Sequence, residues 1–234
     1  MDTAQQKQAL RREARRELAA FCSVSGEREK ASRAASAALL SLPEWQQADT
    51  VLAYMAMAQE ADCSLLIQAA REQHKRLALP RVQGEKDMDF YLLGADRPLA
   101  EQTCTGAWGI AEPLPSLCRL QPEKERGRIM VIVPGVAFSR DGGRLGHGKG
   151  YYDRYLARLL QGGADIVLCG FCFSLQLKDT LPRDAFDLPM HLIASEKGLI
   201  RCPISSSPPS RGGRELPRPD RPGPAGSSPG RRPC

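Results

Sequence analysis

The stretch that most restricts this chain lies between an apolar run, Ile129–Val133, and an amphipathic segment that opens at Tyr151. Five glycines fall there, at 142, 143, 146, 148 and 150. Five apolar residues in a row read as a strand buried on both faces. Tyr151–Leu160 reads as a helix. Glycine tolerates positive φ and has no Cβ to keep a ligand away. A glycine-rich loop that feeds a helix N-terminus therefore lets main-chain N–H groups converge on an anion. Arg144, His147 and Lys149 add cationic or donor groups, which suits a triphosphate. A plain surface turn would account for the glycines, but not for their coincidence with basic residues at a strand-to-helix junction. Gly143-x-x-x-x-Gly148-Lys149 matches most of the P-loop pattern. Gly150 then stands where that pattern needs Ser or Thr for Mg²⁺, so an ordinary P-loop is rejected. Asp153, in the first turn of the helix, is the better metal candidate.

Elsewhere the pattern alternates helix and strand. Thr3 with Gln6 reads as a capping box, ahead of a helix with Leu10, Ala14, Leu18 and Phe21 on one face. Lys7 and Arg11, one turn apart, lie beside that face and also fit a solvated one. A second helix is expected over Glu27–Leu42, ended by Pro43. Strands are predicted at Thr50–Met57, Arg76–Leu79 (stopped by Pro80), Met88–Leu93, Ile166–Cys172 and Met190–Ala194. A further helix is expected over Leu65–Gln73, capped by Ser64. Residues 94–127 read as irregular. This alternation predicts an α/β fold with a mostly parallel sheet flanked by helices.

The chain has 234 residues, 42% of them apolar, enough for one full core. No repeat of 20–50 residues is visible. Its net charge of +6 is uneven: from Arg201 onward, seven Arg against Glu215 and Asp220 leave a surplus of five, so the first 200 residues carry about +1. The body is therefore not expected to bind nucleic acid. Nine of the last 32 residues are Pro, and 203–234 are expected to be a disordered Pro/Gly/Arg-rich tail outside a folded domain of residues 1–202. No run suits a membrane span or a signal peptide, and the cytoplasm is the expected location. The scattered cysteines, including Cys169-Gly-Phe-Cys172, read as buried free thiols, since no second pair or His partner completes a zinc site.

Pro134–Asp153 resembles the signature of 5-formyltetrahydrofolate cyclo-ligases (5,10-methenyltetrahydrofolate synthetases): a Pro-Gly-hydrophobic-x-Phe strand end, then Asp-x-x-Gly-x-Arg-Leu-Gly-x-Gly-x-Gly-Tyr/Phe-Tyr-Asp. Lys7-x-x-Leu10-Arg11, Glu60, Pro80-Arg81, Trp108-Gly109-Ile110, Glu112-Pro113 and Asp187-Leu-Pro-Met190 resemble other family positions in the same order. The similarity spans roughly residues 5–200. His191 stands where many members carry Asp.

The resemblance implies a single-domain, Rossmann-like three-layer fold of the NagB/RpiA/CoA transferase-like kind. It also implies a monomeric ligase that uses ATP and Mg²⁺ to cyclise 5-formyltetrahydrofolate to 5,10-methenyltetrahydrofolate. Lys149 and Arg144 would be catalytic. ATP would meet Lys7, Gln8, Ala9, Leu10 and Arg11, then Arg144, Leu145, Gly146, His147, Gly148, Lys149, Gly150, Tyr151 and Tyr152. The folate would meet Met55, Glu60, Trp108, His147, Gly148, Lys149, Gly150 and Tyr151. Asp153 and Asp187 would hold Mg²⁺, with Asp184 a nearby competitor. The alternative is a protein of this fold that binds nucleotide or folate without turnover.

Overall fold

The computed structural model describes residues 2–106, 109–184 and 187–203. Three helices open the chain: α1 (Thr3–Cys22), α2 (Glu27–Leu40) and the single turn α3 (Pro43–Gln46). Next come β1 (Thr50–Leu52), α4 (Ser64–Glu72), β2 (Arg76–Gln83) and β3 (Asp87–Leu93), then a small hairpin of β4 (Thr103–Thr105) and β5 (Ala111–Pro113). β6 (Arg128–Val133), β7 (Ala137–Ser139) and β8 (Arg144–Leu145) lead into α5 (Tyr151–Gln161). β9 (Asp165–Phe171), β10 (Leu177–Lys178), β11 (Leu192–Ser195) and β12 (Gly198–Arg201) follow.

Seven strands form one sheet in the order β12-β11-β9-β6-β1-β2-β3. The five inner strands are parallel, and β3 and β12 close the edges antiparallel. The run Ile129–Val133 sits at its centre and alternates faces, as the pleat requires. Met130 and Ile132 pack with Leu18, Leu39, Trp45, Leu66 and Ala70 of the first four helices. Ile129, Val131 and Val133 pack with Tyr155, Leu156 and Leu159 of α5. Helices thus cover both faces, the three-layer arrangement predicted. Among the described residues no helix is long and apolar enough to cross a membrane.

The connections run from β1 outward to β2 in one direction, and from β6 outward through β9 and β11 in the other. The strand order therefore reverses between β1 and β6, and a crevice opens at their carboxyl ends. Open α/β sheets bind their ligands in such a crevice.

Several local expectations shift. Asp2, not Thr3, caps α1, and its carboxylate accepts the Ala4 N–H at 2.9 Å. Pro43 begins α3 at the first helical position, where its missing N–H costs nothing. β1 ends at Leu52, and the chain then bends into the loop that carries Glu60. β2 continues through Pro80. Its parallel ladder with β1 finishes where Ala53 N–H donates to Ala78 O, and the next rung would need an N–H at residue 80. Beyond that point β2 pairs only with β3. The segment read as irregular contains the β4–β5 hairpin, and β12 was not foreseen. The predicted tail lies, apart from Pro203, outside the described residues.

Candidate active site

A cavity of about 520 Å³ occupies that crevice. Tyr54 and Met55, just past β1, and Pro134, just past β6, line its floor. The glycine-rich stretch forms one wall, where residues 144–153 line the cavity without a break. Gly148 and Gly150 both take positive φ, 105° and 68°. Gly150 is the N-cap of α5 and offers no side-chain cap, so the first-turn amides of this helix face the loop unshielded.

Lys7, Arg11 and Arg15 repeat at every fourth position of α1, so one face of the helix delivers all three to the cavity. Lys7 is buried and its ammonium donates to Asp184 at 2.7 Å and to Asp187. Burial alone would lower its pKa; pairing with the two carboxylates more than offsets that and leaves it raised. Arg11 Nε donates to Gly146 O at 2.9 Å, and Arg15 reaches His147 O at 3.4 Å. Burial depresses the Arg11 guanidinium, and repulsion from Arg15 adds to this, while Asp187, Asp153 and Asp184 pull the other way. Three carboxylates therefore converge around Arg11.

Arg144 is buried, donates to Asp153 Oδ1 at 2.5 Å and to Pro134 O at 3.2 Å, and lies over the Tyr152 ring. Its Nε and the Tyr152 hydroxyl are buried without a partner among the described residues. Burial pushes the Tyr152 phenol well above its usual range. Lys149 is exposed. Among the described residues, Arg11, Arg15 and Lys149 form no ion pair; Arg11 sits among the three carboxylates, while Arg15 and Lys149 border the loop without an acidic partner.

The rest of the cavity is mostly apolar, walled by Met55, Met57, Pro80, Val82, Met88 and Ile110. Two buried carboxylates interrupt it, Glu60 and Glu112. Glu60 accepts the Met57 N–H at 2.9 Å, and its other oxygen lies 3.1 Å from His147 Nε2. Arg28 of α2 fixes this turn from behind through Glu60 O and Met57 O.

Of the residues singled out in the sequence, Lys7, Arg11, Met55, Glu60, Arg144–Asp153, Asp184 and Asp187 all meet at this cavity. Gln8, Ala9 and Leu10 do not line it. Helical rotation turns them off the Lys7–Arg11 face, and Leu10 packs instead against Ala137, Leu145 and Leu181. Trp108 lies outside the described residues. Asp153 and Asp187 are each held by a cation, and no cluster of three metal-ligating side chains exists among the described residues. Sequence reading gave no role to Arg15, Arg28 or Glu112. The spacing 7, 11, 15 was a usable signal for Arg15; the other two reach the site only through tertiary packing. Cys169 and Cys172 are free and fully buried, as read, and burial pushes the Cys169 thiol up to about 12.

The model of the 5-formyltetrahydrofolate cyclo-ligase family matches residues 3–196. A probable 5-formyltetrahydrofolate cyclo-ligase of Schizosaccharomyces pombe is 30% identical over 70% of this chain and 82% of its own length. The Mus musculus 5-formyltetrahydrofolate cyclo-ligase is 27% identical over 81% of this chain and 93% of its own. The solution structure of Aquifex aeolicus 5,10-methenyltetrahydrofolate synthetase superposes with a TM-score of 0.65 at 33% identity, covering 91% of this chain and 96% of that one. With the family match running from α1 to the end of β11, the chain belongs to the 5-formyltetrahydrofolate cyclo-ligase family.

Proposed function

We propose that the protein uses ATP to convert 5-formyltetrahydrofolate to 5,10-methenyltetrahydrofolate, with release of ADP and phosphate, and that residues 1–202 are the catalytic unit. The observation that carries this reading is the juxtaposition in one cavity. Cations and open amides of the glycine-rich loop line it together with an apolar slot that holds buried carboxylates. The first suits a polyphosphate, the second a flat heterocycle with polar edges.

The chemistry needs both. A formamide oxygen leaves poorly as hydroxide. Transfer of the γ-phosphoryl group to that oxygen releases ADP and turns it into a phosphate leaving group. The N10 amine then attacks the formyl carbon, the C–O bond breaks, phosphate departs with the oxygen and N10 loses its proton. No covalent enzyme intermediate is required; the protein positions two substrates and neutralises charge as it moves.

In this reading Arg144 and Lys149 are catalytic and stabilise the transferring phosphoryl group. Lys7, Arg11 and residues 145–152 hold the nucleotide. Met55, Glu60, Tyr151 and His147–Gly150 meet the folate. Asp153 and Asp187 fit Mg²⁺ brought in with the nucleotide, with Asp184 beside them. All are hard oxygen donors, and Asp153 Oδ2 and Asp187 Oδ1 have no hydrogen-bond partner among the described residues. The ion would supply further neutralisation of phosphoryl charge.

The test is direct. Protein mixed with Mg·ATP and 5-formyltetrahydrofolate is expected to form the methenyl product, seen by its near-ultraviolet absorbance, only when ATP is present. Folded protein that binds both ligands but yields no product would establish a binder without turnover.

A further inference from the structure

The β2–β3 hairpin outgrows the sheet that carries it. Its ladder to β1 stops at Ala78, so residues 79–83 pair with β3 alone. At the rise of a strand they project as a two-stranded arm of roughly 16 Å. Such a hairpin is marginal in water unless something packs against it or ties it. Arg81 fastens its base, donating to Pro113 O at 2.8 Å and pairing with Glu112. Its tip, residues 83–87, is exposed. Between base and tip, Val82 and Met88 form part of the apolar wall of the cavity.

Side chains of α5 tie the tip. Tyr151, Arg154 and Arg158 stand three and four residues apart, so they share one helix face. The Tyr151 hydroxyl donates to Glu85 O at 3.0 Å. Arg154 Nε donates to Lys86 O at 2.9 Å, with Nη2 on the same oxygen. Arg158 Nη2 donates to Met88 O at 2.9 Å. Their surroundings differ. Tyr151 lines the cavity, and Arg158 is also held by the buried Asp89 at 2.8 Å. Among the described residues Arg154 neither lines the cavity nor pairs with an acid, and Lys86 O is its only hydrogen-bond partner. Its polar contacts therefore serve the arm alone.

We propose that Arg154 is a positioning residue that clamps the β2–β3 arm. Closed, the arm holds Val82 and Met88 against the folate. Released at its tip, it swings from the end of the β1 ladder and opens the apolar wall. That step breaks side-chain bonds to carbonyls and leaves the β2–β3 ladder intact. Arg154 thereby governs folate binding while touching neither substrate. This rests on the folate reading above and goes beyond it by naming the element that moves.

Hydrogen exchange followed by mass spectrometry, on the full chain without ligands, reads the arm directly. Arg154→Ala is expected to speed exchange of residues 81–89 by roughly 10-fold, the effect of one lost charge-assisted hydrogen bond. Residues 128–133 of β6 should exchange as before. In steady-state assays its KM for 5-formyltetrahydrofolate should rise by roughly 10-fold, with kcat and the KM for ATP within about threefold of wild type. Arg154→Lys, which keeps a donor, should recover part of both changes. Exchange of residues 81–89 at the wild-type rate in Arg154→Ala overturns the proposal, and so does a KM for ATP that rises as much as that for the folate. Should Arg154→Ala also exchange faster over β6, Arg154→Lys decides by the same two readings, and an unchanged arm with an unchanged folate KM overturns the clamp. Wild-type protein without turnover removes the folate reading, while exchange in the free protein still decides whether Arg154 clamps the arm.

Discussion

Lys149 and Arg144 are both cations of one loop, but their surroundings separate them. Arg144 is buried and held between Asp153 and a carbonyl, so its removal would strand a carboxylate. Lys149 is exposed and forms no ion pair among the described residues, so nothing in the folded chain depends on its charge. Lys149→Ala is therefore expected to unfold in urea within about 0.5 kcal/mol of wild type. Its kcat/KM for ATP should fall by roughly 100- to 1,000-fold, the scale of losing one preorganised charge at a transferring group. Near-wild-type turnover would remove Lys149 from the phosphoryl site. Lys149 was legible in the sequence because glycines and a cation close together in the chain make a local signal. Glu112 is not legible in that way: its place against Gly106 and 3.6 Å from the Arg81 guanidinium comes from tertiary packing, and no spacing reports it.

At the scale of elements, the junction between β8 and α5 is where conformation and chemistry coincide. Gly150 caps α5 in the left-handed region, φ 68°. An added Cβ meets only the end of the Arg154 side chain, at 2.7 Å, which can swing away. The strain in Gly150→Ala is then in the backbone, about 1 kcal/mol. The variant should fold with stability lowered by that amount, measured in urea. Its kcat/KM should fall further, by roughly 10- to 100-fold, since relaxing the cap reorients the first-turn amides. Equal stability and equal activity would show that the left-handed cap is unnecessary. Central elements were readable because their burial imposes a continuous apolar run, as in Ile129–Val133. Those at the margins were not. Pro80 looks like a stop, yet it is harmless where the β1 ladder has already ended. β12 needs only four residues, Gly198–Arg201, because it pairs with an adjacent strand.

For the molecule as a whole, the site follows from where the strand order reverses. That reversal is a property of seven strands together, so the local pattern could point to a phosphate loop, whereas Met55 and Glu60 of the apolar slot were reachable only through the family resemblance. Cooperative unfolding likewise couples remote groups to the stability of the whole, and His191 is a case. It lies before β11, donates its main-chain N–H to Leu168 O, and accepts the Leu168 N–H on Nδ1 at 3.1 Å. Accepting that bond requires an unprotonated Nδ1. Burial lowers its pKa below 6.5, partly countered by Asp165. Above pH 6.5 the ring is neutral both folded and unfolded, and its contribution to stability is complete. As pH falls below 6.5 the unfolded chain takes up the proton first, so stability drops, until the pH passes the folded value and the loss levels off. His191→Gln, which keeps an acceptor for Leu168 but cannot titrate, is expected to remove this component. Urea unfolding of both proteins from pH 7.5 down to pH 5 should show wild type losing more stability than the variant. Parallel profiles would mean that His191 takes its proton as readily in the fold as outside it.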